Sequence, residues 1–301
     1  MSQVDKKLTG GCTFAPVVSV EDPHSHLFQS LASSAKRPQI HAEVGRYRVR
    51  LAESVEDRDA ACRLRFRVFN IELREGLERS YLTGMDTDDF DLFCDHLVVE
   101  DRFEGNPAKR IVGTYRLQTG LTAATNLGYY SEREFCFEPY EHLRPHVLEL
   151  GRASIGQDHR TPEVLTLLWR GIAQYASELG LRYLVGCSSL NSRKPAEGWK
   201  LYSQLQKYRI SREFETEPTP AFLCPMREPT EPSSEISNGV KTASDSCAAP
   251  RLLKTYLSIG ARICSPPAWD REFGTIDFLT LLDLKMLTVA ARNRFLAPLN
   301  P

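Results

Sequence analysis

One stretch, residues 149–164, constrains the fold of this chain more than any other. Its pattern predicts a strand, a polar loop and a helix that begins abruptly, because Thr161 is a good N-cap and Pro162 suits the first helical position. Apolar residues then recur at three- and four-residue spacing until Gly180, a typical helix end. A helix that begins at the end of a central strand directs unpaired N–H groups into a cleft. The stretch therefore fits an anion site, although an ordinary β–α crossover has the same pattern.

The composition argues against several classes of protein. A chain of 301 residues, 42% of them hydrophobic, has material for one large domain or two smaller ones. The formal net charge of −1 argues against a general nucleic-acid-binding protein, which usually carries a basic excess. The eight cysteines are dispersed without a C-x-x-C pair, so the sequence indicates neither a zinc site nor a disulfide framework and suits a reducing cytoplasm.

The sequence contains no candidate membrane span. No run approaches the roughly 20 apolar residues that a spanning helix needs. The basic pair Lys6 and Lys7 precedes a partly apolar segment, but glycine, threonine and proline interrupt that segment and argue against a secretory signal. We expect a cytoplasmic protein whose membrane contact, if there is any, is peripheral and at the inner face.

The pattern along the chain divides it into four segments. Residues 1–45 lack periodicity and are expected to be a flexible N-terminal arm, and residues 46–228 form the core. Residues 229–249 are a polar linker or loop, and residues 250–301 are apolar enough to complete the same domain. Ser54 is the expected N-cap of an early helix, and a later helix is expected at 195–207. Strands are predicted at 47–51, 96–100, 111–117, around Glu149, at 181–187 and at 276–282.

The order of these elements resembles that of acyltransferases of the N-acetyltransferase type. This resemblance implies an α/β fold with a mixed central sheet flanked by helices. A narrower resemblance, to the autoinducer (acyl-homoserine-lactone) synthases, also includes an early Arg-x-Phe element at Arg67. It rests on the spacing of Asp86, Asp88, Asp91, Arg116, Glu149 and Arg152.

Longer runs resemble the ornithine-lipid N-acyltransferases, which are often labelled hemolysin-like and are related to N-acyl-amino-acid synthases. The matching runs are 94–99, 110–117, 149–152, 168–172, 183–188, 250–257 and 267–270. The resemblance implies transfer of a 3-hydroxyacyl chain from acyl carrier protein to the α-amine of L-ornithine, which gives lyso-ornithine lipid, the first step of ornithine-lipid biosynthesis. The alternatives are acylation of another amino acid, acyl-homoserine-lactone synthesis and, in a different class, a non-catalytic module that binds acyl carrier protein.

The resemblance makes Glu149, Arg152 and Arg116 the catalytic candidates. An α-amine with a pKa of about 8 must lose a proton before it attacks a thioester, and Glu149 is the expected base if burial raises its pKa. Either arginine could bind the carboxylate of the substrate bidentately. The alternative is that both arginines only neutralise Asp88 and Glu149 in a structural network.

The substrate-binding candidates are Asp86, Asp88, Asp91 and Arg67. Three carboxylates suit a substrate with two ammonium groups, but this acidic loop could also be merely solvated or hold a cation. It lacks the spacing of an EF-hand, and we assign no metal to it.

Three other features of the sequence have two interpretations each. His159 could assist proton transfer or simply be exposed in its polar loop. Cys187 could carry the acyl group as a nucleophile or be an ordinary packed strand cysteine. The aromatic-rich segment 129–140 is a candidate wall for the acyl chain or part of the core.

The resemblance implies a carrier protein as the acyl donor, and the loop before the main helix weakens a coenzyme A interpretation. Acetyl-CoA enzymes of this fold have a glycine-rich loop, whereas residues 157–163 contain no glycine. A phosphopantetheine thioester presents a single phosphodiester, and Arg160 and Thr161 are its candidate contacts; no tightly bound cofactor is expected. Arg193 and Lys194 begin a basic segment that could dock an acidic carrier protein, although an ordinary solvated helix face is the alternative.

Overall fold

The structure is a computed structural model that describes residues 37–226 and 249–295. Alternating and apolar runs of these residues form the strands of one sheet. Their bounds are β1 Ala42–Val44, β2 Tyr47–Leu51, β3 Asp95–Asp101, β4 Ile111–Thr119, β5 Val147–Ile155, β6 Tyr183–Leu190, β7 Arg262–Ile263, β8 Ala268–Asp270 and β9 Thr275–Asp283.

The sheet is mixed. Its strand order is β1-β2-β3-β4-β5-β6-β9-β7, and β8 pairs with β9 off this path. Neighbouring strands are antiparallel except β5 and β6, which are parallel. The predicted hairpin of β3 and β4 and the predicted parallel pair are therefore confirmed. The predicted α/β class, a mixed central sheet flanked by helices, is confirmed as well.

Two helices begin at the N-caps that the sequence predicts. Ser54 accepts a hydrogen bond from the N–H of Asp57, and Thr161 accepts one from Val164 with Pro162 at the first helical position. A π-helical segment, Arg67–Leu73, follows the first helix. The helices are α1 Val55–Phe66, α2 Pro107–Arg110, α3 Gly120–Thr125, α4 Pro162–Glu178, α5 Pro195–Gln204, α6 Arg251–Ile259 and α7 Val289–Phe295.

Two helices cover opposite faces of the sheet. The apolar side of α4, including Leu168, packs against Leu97 of β3, and α1 packs against the adjacent Val98. Successive residues of a strand point to opposite faces, so α4 and α1 lie on the two sides. Gly171 of α4 permits the close contact, because a Cβ there would lie 2.8 Å from Leu97 Cδ1. Burial of each large apolar side chain contributes about 1.5–3 kcal/mol.

Strands β5 and β6 part soon after they meet. They pair through only three residue pairs, which end at Glu149 with Val185, although both strands continue. Past Glu149, strand β5 contains a bulge opposite β4, and Arg152 in this bulge adopts a left-handed conformation with φ of 50°. Few residues other than glycine adopt this conformation. The bulge bends β5 away from β6 and opens a gap in the middle of the sheet.

Some boundaries differ from the prediction, and others lie outside the described residues. The sheet begins at β1, inside the arm predicted for residues 1–45, because Ala42–Val44 pairs with β2. Residues 1–36 of that arm and residues 229–248 of the predicted linker lie outside the described residues. The segment after position 249 contributes β9, which lies beside β6 in the sheet. Within residues 37–226 and 249–295, no helix has the length and apolar content that a membrane crossing needs.

Candidate active site

A cavity of about 870 Å³ occupies the gap between β5 and β6. Both diverging strands line it, and so do residues from both sides of the sheet. One part of its wall is apolar and comes from the π-helical segment, α4 and α6, with Phe69, Leu165 and Leu253 among its residues. The other part is polar and comes from the segment before β5 and from β8 and β9. The cavity thus has an apolar part, here called the apolar chamber, and a charged part, and both diverging strands contribute to its wall.

Glu149 lies where the strands separate and lines this cavity. Its side chain is 4% exposed and is held by neutral donors only. The backbone N–H of Tyr130 donates to Oε2 at 2.8 Å, the N–H of Ser131 donates to Oε1 at 2.7 Å, and the Ser131 hydroxyl donates to Oε1. Burial raises the pKa of Glu149 above its ordinary value, although these hydrogen bonds act to lower it. A carboxylate with a raised pKa is a better general base.

Three arginines and three aspartates form a second charged group, here called the arginine–aspartate cluster. Its members are Arg65, Arg116, Arg152, Asp86, Asp88 and Asp91. Arg65 of α1 is 1% exposed; its Nε donates to Asp86 at 2.8 Å and its Nη1 donates to Asp91 at 2.7 Å. Burial acts to raise the pKa of Asp91, but its hydrogen bonds and charge interaction with Arg65 bring the pKa below the ordinary value.

Arg116 and Arg152 connect the arginine–aspartate cluster to the cavity. Arg116 donates to Asp88 and lies 3.2 Å from Asp91, and Arg152 lies 3.4 Å from Asp88. The ring of Tyr130 lies within cation–π distance of both guanidinium groups, with centroid distances of 5.4 and 5.5 Å. Both arginines line the cavity, and the buried Nε of Arg152 has no hydrogen-bond acceptor among the described residues. This Nε lies 3.6 Å from Asp86 Oδ1, close enough for an ion pair but too far for a hydrogen bond, so the N–H can still donate to a ligand.

A third charged group, here called the acidic cluster, consists of Glu134, Asp270 and Asp277. One ligand oxygen from each lies within 4.8 Å of the others, all three residues are buried, and all three line the cavity. Burial, and then the charges of Asp277 and Asp270, raise the pKa of Glu134 well above its ordinary value. Sequence analysis did not select any of the three, because they come from distant parts of the chain and form no spacing pattern.

Comparisons with known proteins identify the family. Residues 64–170 match the model of the acetyltransferase (GNAT) domain. An L-ornithine N(alpha)-acyltransferase from Brucella abortus is 33% identical over 86% of this chain and 92% of its own length. The chain belongs to the L-ornithine N(alpha)-acyltransferase family. The protein of that name from Agrobacterium fabrum is 31% identical over 82% of this chain and 84% of its own length.

A comparison with solved structures found similar chains. An N-acyl amino acid synthase from uncultured soil microbes superposes with a TM-score of 0.46 at 11% identity, over 84% of this chain and 97% of that one. The resemblance to the ornithine-lipid N-acyltransferases stated from the sequence is confirmed by the two curated relatives, and the chain is an acyltransferase.

In this acyltransferase, the predicted substrate-binding aspartates are already occupied. The carboxylates of Asp86, Asp88 and Asp91 contact arginines, and none of the three residues lines the cavity. The interpretation of this loop as a solvated acidic surface is also wrong, since Asp86 and Asp91 are buried. Charge neutralisation by Arg65, Arg116 and Arg152 disfavours binding of a substrate with two ammonium groups there.

Arg67 is misplaced for substrate binding as well. It lies exposed on the outer side of the helical segment, whereas Arg65, two residues earlier, is the buried arginine. Helical periodicity contains the signal: Ala61, Arg65 and Val68 recur at four- and three-residue spacing and lie on the buried side.

The carrier-protein candidates fall into two places. Arg160 and Thr161 line the cavity at the start of α4, where Arg160 also pairs with Glu72. Arg193 and Lys194 are exposed, lie before α5 and do not line the cavity. The Arg193 side chain lies against Gly274, because a Cβ built on that glycine would be 2.6 Å from Arg193 Nε.

Three features had two interpretations each from the sequence: Cys187, His159 and the aromatic-rich segment 129–140. Burial, and then the charges of Glu134 and Asp277, raise the pKa of Cys187 well above its ordinary value, so its thiol keeps its proton and is a poor nucleophile. His159 contacts the Tyr47 hydroxyl at 3.0 Å and does not line the cavity. The aromatic segment contributes mainly core residues, including Phe135 and Tyr140, and only Tyr130 of its aromatic residues lines the cavity.

Proposed function

We propose that this protein transfers a 3-hydroxyacyl chain from acyl carrier protein to the α-amine of L-ornithine, giving lyso-ornithine lipid. The observation that carries the proposal is the position of Glu149, a buried carboxylate in the cavity wall at the point where β5 and β6 part. Membership of the L-ornithine N(alpha)-acyltransferase family supports ornithine as the acceptor. The apolar chamber, with Phe69, Leu165 and Leu253 in its wall, suits a fatty acyl chain.

The proposed reaction needs one base and one oxyanion site. Glu149 accepts a proton from the α-ammonium group, and the free amine attacks the thioester carbonyl carbon. A C–N bond forms and the C–S bond of the tetrahedral intermediate breaks. The nitrogen loses a second proton, which the released phosphopantetheine thiolate takes up to become a thiol, and Glu149 returns its own proton to solvent. Backbone N–H groups of β5 that face the gap are the proposed donors to the oxyanion, because β6 no longer pairs with that part of the strand.

Arg152 is the proposed partner of the α-carboxylate of ornithine. Its buried Nε has no acceptor among the described residues, and its guanidinium lies in the cavity wall. Arg116 is more fully engaged by Asp88 and Asp91 and is assigned to positioning Asp88 beside Arg152. A planar guanidinium binds a carboxylate bidentately, which would fix the α-amine next to it.

The donor half of the proposal rests on α4 and on the basic segment before α5. The first turn of α4, with Arg160 and Thr161 in the cavity wall, suits the single phosphodiester of phosphopantetheine. Arg193 and Lys194 are exposed cations for an acidic carrier protein. Because the acyl donor is a carrier protein and the product a lipid, we propose a cytoplasmic location with peripheral contact at the inner membrane face.

The test is an acceptor competition. The protein is incubated with a long-chain 3-hydroxyacyl carrier protein and an equimolar mixture of amino acids, and the products are identified by mass spectrometry. We expect N-acylornithine, with the acyl group on the α-nitrogen, as the main product. Acylation of another amino acid in preference to ornithine, or no acylated amino acid, contradicts the proposal.

A charge-reversal series tests the carrier protein as donor. Arg193→Glu with Lys194→Glu is expected to raise the KM for the acyl carrier protein roughly tenfold at low salt and to flatten its dependence on salt. Lys285→Glu, an exposed lysine after the far end of β9, is the matched control and should leave that KM unchanged. A KM that is the same in all variants would place the docking surface elsewhere.

A further inference from the structure

The acidic cluster of Glu134, Asp270 and Asp277 has no basic partner. No described lysine, arginine or histidine forms an ion pair with any of the three, whereas the aspartates of the arginine–aspartate cluster contact three arginines. Three buried carboxylates without a counter-ion repel one another, and a buried charge is stable only when it is paired. The cluster therefore needs either bound protons or a bound cation.

Two oxygen atoms of the acidic cluster are free to bind a ligand. Glu134 and Asp277 are 2% and 3% exposed, and Glu134 Oε2 and Asp277 Oδ1 have no hydrogen-bond partner among the described residues. The third residue, Asp270, is anchored, because its Oδ1 accepts the N–H groups of Glu272 and Phe273. Since all three residues line the cavity, their free oxygens are available to a molecule that occupies it.

A short chain of contacts connects the acidic cluster to Glu149. The Ser131 hydroxyl donates to Glu149, and Cys187 Sγ lies 3.5 Å from the same hydroxyl. Cys187 also interacts with Glu134. On β6, Cys187 and Ser189 project to the same face and lie opposite Leu279 and Asp277 of β9. The proposed base and the acidic cluster are thus neighbours along one wall of the cavity.

We propose that Glu134, Asp270 and Asp277 form the subsite that binds the side-chain ammonium group of the acceptor amino acid. The assignment rests on the proposed function and extends it, because it gives the second positive charge of ornithine a partner that the arginine–aspartate cluster cannot provide. The α-amine lies at Glu149, the α-carboxylate at Arg152 and the side-chain ammonium at the acidic cluster. The cluster then selects a diamino acid over an amino acid with an uncharged side chain.

The test compares ornithine with norvaline, which has the same carbon chain without the terminal amine. The assay measures kcat and KM for each acceptor at a fixed acyl carrier protein concentration, in the wild-type protein and in Glu134→Gln and Asp277→Asn. Each substitution is expected to raise the KM for ornithine roughly 30-fold or more, to leave the KM for the acyl donor unchanged and to reduce the preference for ornithine over norvaline by a similar factor. Glu138 has an exposed carboxylate and lies four residues after Glu134 in the chain. Glu138→Gln is therefore the control and should change none of these values.

Two further measurements keep the inference falsifiable. Asp270→Asn preserves an oxygen acceptor for the two N–H groups, so it should fold and still weaken ornithine binding. Titration of the wild-type protein with Mn²⁺ and with Ca²⁺, by calorimetry, tests the competing ligand class: micromolar binding that is lost in Asp277→Asn, with loss of activity in EDTA, would overturn the inference. An unchanged preference for ornithine in folded variants would also overturn it while leaving the proposed function intact. Failure of the wild-type protein to acylate ornithine would instead contradict the proposed function itself.

Discussion

The arginine–aspartate cluster and the acidic cluster contain the same kind of side chain in opposite electrostatic states. Asp86, Asp88 and Asp91 contact three arginines, and Arg65 and Arg152 contribute to a pKa for Asp86 below its ordinary value although burial acts to raise it. Glu134 and Asp277 have no basic partner among the described residues, and burial raises the pKa of both. The carboxylates of one cluster have their counter-ions within the chain, and those of the other have none among the described residues.

This difference separates structural from ligand-binding carboxylates. A buried carboxylate that already has an arginine gains little from a second cation, whereas one without a partner gains the whole interaction. The arginine–aspartate cluster is therefore suited to holding α1, the acidic loop and β4 together and to orienting Arg152. The acidic cluster is suited to receiving a positive charge that the substrate brings.

The largest expected effect is at Glu149, which lies between the two clusters and belongs to neither. Glu149→Gln keeps one oxygen acceptor, for the N–H and hydroxyl of Ser131, loses the acceptor for the N–H of Tyr130, and cannot take up a proton. We expect kcat to fall roughly 10²- to 10⁴-fold, with the fold preserved. In the wild-type protein, kcat/KM should fall as pH drops through the raised pKa of Glu149, because the protonated carboxyl is no base. Wild-type turnover in Glu149→Gln would remove Glu149 from this role.

The next largest effect is expected from removal of Arg65 from the arginine–aspartate cluster. Arg65→Leu leaves Asp86 and Asp91 buried without their main partner, so we expect a loss of about 3–5 kcal/mol in the free energy of unfolding, measured in urea. Arg67→Leu, two residues later and exposed, is the matched control and should change stability by no more than about 0.5 kcal/mol. Equal losses in the two variants would contradict the structural role of Arg65.

Neutralisation of one aspartate in each cluster is expected to have a smaller effect, a change in Tm of opposite sign in the two clusters. Burial raises the pKa of Asp277 in the folded protein to about 6, above the value in the unfolded chain. The unfolded chain therefore loses this proton at lower pH than the folded protein does. As a result, ionisation of Asp277 lowers the free energy of unfolding as pH rises. Asp277→Asn should then stabilise the free protein at pH 7.5 by about 1 kcal/mol, a rise in Tm of roughly 2–4 °C. The gain should vanish near pH 3 or below, under the ordinary pKa of an aspartate of about 3.9, where the carboxyl is protonated in both states.

Asp91→Asn is the counterpart in the arginine–aspartate cluster. The pKa of Asp91 is below its ordinary value, so its ionised form stabilises the fold above the unfolded-state pKa, and this contribution is lost as pH falls. The substitution should lower the Tm at pH 7.5, and this loss should become smaller in acid. Thermal unfolding of both variants at the two pH values gives the comparison, and shifts of the same sign at pH 7.5 would refute it.

Local patterns predicted most of the fold. The start of α4 follows from Thr161 and Pro162, and the β3–β4 hairpin follows from two alternating runs around a turn. These signals depend only on neighbours in the sequence. The bulge at Arg152 is different, because no local residue requires a left-handed arginine; the divergence of β5 from β6 is what accommodates it.

The site was only partly predictable. Glu149, Arg116 and Arg152, which were selected from family spacing, line one cavity, and their catalytic roles stay predictions. The same spacing selected Arg67, whereas helical periodicity indicates Arg65 as the buried arginine. It also gave the acidic loop a role in substrate binding, but arginines already pair with the carboxylates of that loop. Glu134, Asp270 and Asp277 meet only through the packing of β8, β9 and the segment before β5, so no sequence interval could reveal them.

The most direct measurement is the ratio of kcat/KM for ornithine to kcat/KM for norvaline in the wild-type protein, with one 3-hydroxyacyl carrier protein as donor. Both acceptors present the same α-amine to Glu149 and the same carboxylate to Arg152, and they differ only in the charge that would reach the acidic cluster. The account predicts that ornithine is preferred by roughly 100-fold or more. A ratio near 1 would contradict it.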